Sequence, residues 1–282
     1  MKVQHFYDKL TSTLTYLVYD EKSKDSILID PVLNLDLASG KISRESNELV
    51  IKFIEENKLK LHSIIETHAH ADHLTGAFEL KKFFPKAQLI IGDQFPIVQK
   101  TFQKIFNLKK IHNPFGHFAK DGEILQFGSI KLKIINTPGH TPACTSFLVN
   151  EKHLFTGDAL FMPDYGTGRC DFPMGSADNL YNSVHEKLYK LPDDTIFYTG
   201  HDYQPNGRDL MYKSTIKESK ESNIQLKEST TKEEFINFRE KRDSTLNAPK
   251  LLLPSLQVNI QGGELPKEES NGVKYLKIPL KE

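Results

Sequence analysis

Ser63-Ile64-Ile65-Glu66-Thr67-His68-Ala69-His70-Ala71-Asp72-His73 is an apolar run that stops abruptly in three histidines and an aspartate. Alternate side chains of an extended backbone share a face, so His68 and His70 project together, while Asp72 and His73 can turn to a neighbouring position as a helix begins. Imidazole nitrogens with a carboxylate oxygen are ligands for zinc or iron. For a single histidine the plainer reading is a hydrogen-bonded loop residue; four such residues within six positions read as a metal site.

The same pattern recurs downstream. The β-rich run Ile130–Ile135 leads into Thr137-Pro138-Gly139-His140, and Thr195–Tyr203 reads as a strand ending in Gly200-His201. Asp158 interrupts the apolar run His153–Phe161, where a buried carboxylate without a partner is costly and a metal ion would be one. Four strand ends thus supply His68, His70, Asp72 and His73, then His140, Asp158 and His201, enough for one metal site or two adjacent ones.

Outward from these loops the chain alternates strand and helix. Leu14–Tyr19 and Ser26–Asp30 read as a hairpin closed by a charged stretch, and Asp30 either starts a turn or sits behind the metal loop as an acceptor. Between Ser43 and Lys58, Leu49, Val50, Phe53 and Ile54 recur at helical spacing. Strands are expected at Leu61–Ile65, Gln88–Gly92, Ile124–Phe127 and Cys144–Val149, with helices at Gly76–Phe83, Ile97–Leu108 and Ser176–Lys190, the last capped by Ser176 or Asp178. His112 and His117 read as ordinary loop histidines. The alternation implies an α/β layer architecture. Lys213–Glu240 is polar and reads as solvent-facing helices, whereas Pro254–Asn259 and Val273–Leu280 are apolar again and are expected to dock on the body. The expected division is a catalytic domain over residues 1–210 and a C-terminal helical extension and tail over 211–282 docking on it.

In 282 residues, 37 Lys and Arg balance 37 Asp and Glu, which removes the electrostatic footprint of a nucleic-acid binder and favours a small-molecule substrate. No stretch has the length and apolarity of a membrane span, and the first nine residues already carry Lys2, Asp8 and Lys9, so a cytoplasmic protein is expected. Two cysteines, Cys144 and Cys170, are compatible with a reducing compartment. A homodimer is allowed, with nothing in the sequence to set the oligomeric state.

Thr67-His-Ala-His-Ala-Asp-His73, Pro138-Gly-His140, Gly157-Asp158 and Gly200-His201 together resemble the metallo-β-lactamase superfamily, over positions 14 to 203. That resemblance implies a four-layer αββα sandwich with the site at one edge between its sheets, followed here by a C-terminal extension. Gly157–Phe172, with Gly200-His-Asp-Tyr203, is similar to the persulfide dioxygenases of sulfide detoxification, in particular the β-lactamase-like hydrolase branch, as are Pro254–Asn259 and Asn271–Pro279. It implies oxidation of glutathione persulfide by O2 and water to sulfite and glutathione, at one Fe(II) held by His68, His140 and Asp158. His70, Asp72, His73 and His201 would then orient the ligands or hold a second metal. Arg169 and Tyr203 match positions that hold the glutathione moiety, Arg169 offering a rigid fork to a carboxylate. Cys170 beside it is a possible reactive thiol if its environment activates it. The alternatives are a hydroxyacylglutathione hydrolase type, which cleaves a thioester with two zinc or mixed iron and zinc ions, and a metal-binding scaffold without catalysis.

Overall fold

Strand residues of opposite parity point to opposite faces of a sheet, and in this chain both faces of the main strands are apolar. In the computed structural model, which describes residues 1–280, that double burial yields two sheets sandwiched between helices. The chain runs β1 (Lys2–Asp8), β2 (Thr13–Tyr19), β3 (Asp25–Ile29), β4 (Val32–Asp36), β5 (Lys41–Ser43), α1 (Glu45–Glu56), β6 (Lys60–Ile65), β7 (Leu74–Thr75), α2 (Ala77–Phe83), β8 (Gln88–Gly92), α3 (Phe95–Ile105) and β9 (His117–Ala119). It continues through β10 (Ile124–Phe127), β11 (Ile130–Asn136), β12 (Thr145–Val149), β13 (His153–Gly157), α4 (Ala177–Asn182), β14 (Ile196–Thr199), β15 (Lys213–Thr215), α5 (Ile216–Ser222), α6 (Lys232–Asp243) and α7 (Leu252–Asn259).

The first six-stranded sheet has the order β1-β2-β3-β6-β8-β9 and the second β10-β11-β12-β13-β14-β15. Leu14, Tyr16 and Val18 of β2, Ile27 and Ile29 of β3, and Ile65 of β6 meet Ile130, Leu132, Ile134, Phe147 and Phe155 in a core between the sheets. Their neighbours of opposite parity, Leu17, Leu28 and Ile64, face outward beneath α1, α2 and α3, with α7 added through Leu256. On the second sheet Ile135, Leu148, Leu154 and Phe197 face outward beneath α4, α5 and α6, where Leu180, Ile216 and Phe235 close the layer. Three parallel cores make four layers, αββα.

Helix boundaries follow local chemistry. Ser176 is the cap of α4, accepting from the Asn179 amide at 3.2 Å, and the helix widens into a π-helical turn over Ser183–Leu188. Pro96 sits in the first turn of α3, where its missing N–H costs nothing. Several elements lie where the sequence announces none: β1, whose residues are all at least partly exposed, the short strands β7 and β9, and the β4–β5 hairpin, which leans over the site end of the sandwich.

The polar segment after residue 210 is more integral than its composition implies. β15 is the edge strand of the second sheet, pairing with β14, and α6 buries Phe235, Arg239 and Asp243. An expectation of solvent-facing helices is therefore corrected at Arg239, which is 1% exposed: its charge is matched inside the fold by Asp243. Docking of the tail holds for α7, whose residues Pro254–Asn259 are all buried. Over Val273–Leu280 the docking is polar more than apolar: Val273, Tyr275, Ile278 and Leu280 stay exposed, Leu276 packs beside Leu33 and Val258, and the Lys277 backbone exchanges two hydrogen bonds with the Gln257 side chain at 2.9 Å.

Candidate metal centre

Every residue singled out as a ligand lies just beyond the C-terminal end of a strand or in the loop that follows it, and the sandwich brings those ends together. β6 runs parallel to β3 and β8 and releases Glu66–His73; β13 and β14 run parallel, so Asp158 and His201 emerge side by side. Backbone bonds join the sheets at this edge: Thr145 N donates to Thr67 O at 2.9 Å, and Leu14 N to Gly200 O at 2.9 Å. Asp158 does not interrupt a strand, as its apolar neighbours suggest, but follows the end of β13. Gly157 turns there with φ +50°, and a Cβ on it would lie 2.6 Å from Thr67 Oγ1, so only glycine lets Asp158 approach His68 this closely.

His68, His140 and Asp158 form one buried group whose ligand atoms all lie within 4.8 Å of one another. Asp158 Oδ2 is 4.0 Å from His68 Nε2 and 3.5 Å from His140 Nε2. What presents each Nε2 is visible behind the ring. His140 Nδ1–H donates to the Arg169 carbonyl at 2.6 Å. Thr67 Oγ1 donates to Asp30 Oδ2 at 2.8 Å, so its lone pair is left to accept from His68 Nδ1–H at 3.0 Å. Both rings therefore keep a bare Nε2 toward Asp158. Burial, reinforced by the neighbouring His70 and His140, pushes the His68 pKa well below its ordinary value and keeps it a neutral ligand.

His68 Nε2, Asp158 Oδ1, His70 Nδ1 and His73 Nε2 are buried atoms with no hydrogen-bond partner. Three of them, His68 Nε2, His73 Nε2 and Asp158 Oδ1, offer lone pairs, and burying these without a partner is expensive unless a cation satisfies them. The donor set of imidazole nitrogens and carboxylate oxygens suits zinc or iron, so the residues present fit a metal.

Asp72, His73 and His201 gather on the other side of Asp158. His201 Nε2 is 3.4 Å from Asp158 Oδ1 and 3.3 Å from Asp72 Oδ2, and His73 Nδ1 is 3.4 Å from the same Asp72 oxygen. His70 turns its Nε2 away, between Asp30 Oδ1 at 3.1 Å and Glu66 Oε2 at 3.0 Å. Burial opposes charge on His70, but the two carboxylates outweigh it and hold its pKa well above the ordinary value; Glu66 itself is pushed up to about 7 by burial. Asp30 accepts further bonds from the Thr67 amide and hydroxyl.

A cavity of about 790 Å³ opens over the centre, with His140, Asp158 and Asp72 in its floor. Leu35 and Leu37 of the β4–β5 hairpin, Tyr165, Tyr203, Arg242 and Lys250 are among its walls. Tyr203 stacks on His201 with centroids 5.5 Å apart. Arg169 lines the cavity too, yet its fork is committed: Nε and Nη2 reach Asp171 at 2.5 and 2.6 Å, and Nη1 the Asn247 carbonyl at 2.8 Å. Cys170 is buried, and burial raises its thiol pKa, opposite to what a reactive thiol requires; that expectation is corrected. His112 and His117 lie away from the centre, paired with Glu264 and Glu123; the expectation of a loop holds for His112 but is corrected for His117, which starts β9 by pairing with Ile90 of β8.

The description of the metallo-beta-lactamase superfamily matches residues 9–201. The chain belongs to that superfamily. "Glyoxylase B2" of Dictyostelium discoideum is 44% identical to it over 283 residues, covering 99% of this chain and 97% of that protein. The human "Persulfide dioxygenase ETHE1, mitochondrial" is 34% identical over 249 residues, 88% of this chain and 82% of that protein. The crystal structure of ETHE1 from Myxococcus xanthus superposes with a TM-score of 0.75 at 30% identity, covering 94% of this chain and all of that one. As in other members of the superfamily matched here, the fold is a mixed α/β sandwich. No helix among the described residues is long and apolar enough to cross a membrane.

Within this superfamily site, three contributors are not among the residues singled out from the sequence. Glu66 lies just past the expected strand Leu61–Ile65 and backs His70. Thr67 orients His68. Asn259 of α7 donates from Nδ2 to the carbonyls of His70 and His73, both at 2.7 Å, and accepts from the Thr75 amide at 2.9 Å. An apolar helix with a polar residue at its buried end, as in Leu256-Gln257-Val258-Asn259, is the only trace of that last role in the sequence.

Proposed function

We propose that this superfamily enzyme is an iron-dependent persulfide dioxygenase acting on a thiol persulfide such as glutathione persulfide. The observation that carries the reading is the compact set of His68, His140 and Asp158, two histidines and one carboxylate on the floor of an open cavity. Likeness to proteins named persulfide dioxygenase over most of the chain supports it. The net reaction takes persulfide, O2 and water to sulfite, free thiol and two protons; the outer sulfur is oxidised and dioxygen is reduced.

His68, His140 and Asp158 would hold one Fe(II), which when bound supplies the redox chemistry that joins dioxygen to sulfur. The chain's own residues do the rest. Thr67 and the Arg169 carbonyl hold the protons on the Nδ1 atoms of His68 and His140, keeping both Nε2 lone pairs free. Leu35, Leu37 and the Tyr165–Tyr203 pair give the side of the cavity an apolar and aromatic lining. Arg242 and Lys250, neither in an ion pair among the described residues, can meet carboxylates of the carrier thiol. A carboxylate at Arg169 has to share or displace Asp171.

One observation favours a second reading. Asp158 divides its oxygens between the His68 and His140 side and the His201 side, and His73 Nε2 has no partner, which is the material for a second ion and for thioester hydrolysis of the kind the name Glyoxylase B2 suggests. Iron-loaded protein is expected to consume O2 with glutathione persulfide and to hydrolyse S-lactoylglutathione slowly. The reverse ranking of the two rates would place the chain with the hydrolases.

A further inference from the structure

The loop Thr167–Cys170 links two of the three candidate ligands. Gly168 N donates to the Asp158 carbonyl at 3.1 Å, and a Cβ on Gly168 would lie 2.3 Å from that oxygen, so the backbones are in close contact. One residue on, the Arg169 carbonyl accepts from His140 Nδ1. A shift of this loop would move the acceptor that sets which His140 nitrogen carries the proton.

The loop is gripped from outside by two buried charges of α6. Arg239, 1% exposed, sends Nη1 to the Thr167 carbonyl at 3.2 Å, the Gly168 carbonyl at 3.3 Å and Gln225 Oε1 at 2.9 Å. Asp243 Oδ2 accepts from the Cys170 amide at 2.7 Å. The two are paired to each other through Arg239 Nη2 and Asp243 Oδ1 at 2.7 Å. Besides the Gln225 and Thr167 side-chain oxygens that Arg239 Nη1 also meets, the pair thus holds three backbone groups around Arg169, the Thr167 and Gly168 carbonyls and the Cys170 amide. Two charges buried for stability alone are a poor bargain, since a well-packed apolar pair of similar volume is often as stable or more so. A buried pair that fixes three backbone groups of one loop, two through Arg239 and one through Asp243, makes sense as a device for placing that loop.

We propose that the Arg239–Asp243 pair positions the metal centre, holding Thr167–Cys170 so that the Arg169 carbonyl keeps His140 in the Nδ1-protonated form with Nε2 facing Asp158. The inference rests on the metal site at His68, His140 and Asp158, and it makes the C-terminal extension a working part of that site. Arg239 also lines the cavity, and both residues act on the metal centre through the loop.

The test uses the full chain in three forms: the parent, Arg239→Met/Asp243→Leu, which removes both charges together, and Arg239→Lys, which keeps a charge opposite Asp243 but loses the fork. Affinity for Fe(II) and for Zn(II) is measured by chelator competition, and the His140 tautomer is read from ring ¹⁵N shifts in the metal-free protein. The double variant is expected to fold, to bind either ion roughly 10 to 100-fold more weakly, and to show a mixed His140 tautomer; Arg239→Lys is expected to move both readouts in the same direction by less. Folded variants with parental affinity and a parental tautomer overturn the proposal. If the double variant does not fold, Arg239→Lys decides. A parent that binds neither ion would defeat the metal reading alone, because the tautomer still tests the grip on the loop.

Discussion

Thr67 Oγ1 can donate only one proton, and Asp30 takes it, so His68 is left to donate from Nδ1 and present Nε2. Thr67→Val keeps the shape and removes the hydroxyl; metal affinity in chelator competition is expected to fall roughly 10 to 100-fold. Unchanged affinity would mean that packing alone orients His68. His201 tests the number of ions. If one iron is bound, His201→Ala should retain about one metal per chain with reduced turnover, since the residue only borders Asp158 and Asp72. A fall from two ions to one in elemental analysis would establish the binuclear site. At the cavity lip, the committed fork of Arg169 changes an expectation made from sequence: Arg242→Ala should raise KM for glutathione persulfide at least as much as Arg169→Ala, with kcat little altered in the first. Steady-state kinetics with both variants give the ranking, and a KM effect confined to Arg169→Ala would restore the sequence-based role.

At the scale of elements, what the sequence makes legible is what has a period or a stop signal. β6, β8, β11 and β12 are runs rich in apolar residues bounded by polar or glycine residues, and the loops after β6 and β11 deliver His68–His73 and His140 where the motif places them. β1 and the β4–β5 hairpin escape because one is half exposed and the other is short and mixed in polarity, so neither has a pattern for local rules to catch. Asn259 escapes for a different reason: its three partners are backbone groups 184 to 189 residues away, and no local signal marks a long-range clamp. Its removal has a definite cost. Asn259→Ala leaves the His70 and His73 carbonyls and the Thr75 amide buried without partners, each worth about 1–3 kcal/mol. Denaturant titration should show a loss of a few kcal/mol, and the loosened His70–Thr75 loop should bind metal more weakly. Stability within about 0.5 kcal/mol of the parent would show that water replaces the amide.

The molecule as a whole is two sheets that must be held in register at both ends. At the site end the backbone bonds between Thr145 and Thr67 and between Leu14 and Gly200 do this. At the other end Asp25 of β3 does it with one carboxylate, which accepts from the Ser129 amide of the β10–β11 turn at 2.9 Å and from His62 Nε2 of β6 at 2.7 Å. Bonds from Ser23 and His62 hold its pKa well below the usual carboxylate range against the opposing effect of burial. A carboxylate whose folded pKa is depressed stabilises fully above its unfolded pKa, near about 3.9, and the contribution is lost as pH falls toward the folded value. Parent protein should therefore exceed Asp25→Asn in stability by about 1.5–3 kcal/mol near neutrality. Below about pH 3.9 the gap should close with a slope approaching 1.4 kcal/mol per pH unit, about one proton's worth. Urea midpoints at several pH values give the difference directly. A gap that stays constant through the acid range would assign the effect to the shape of the side chain, and the sheets would owe their register at this end to the apolar core between them.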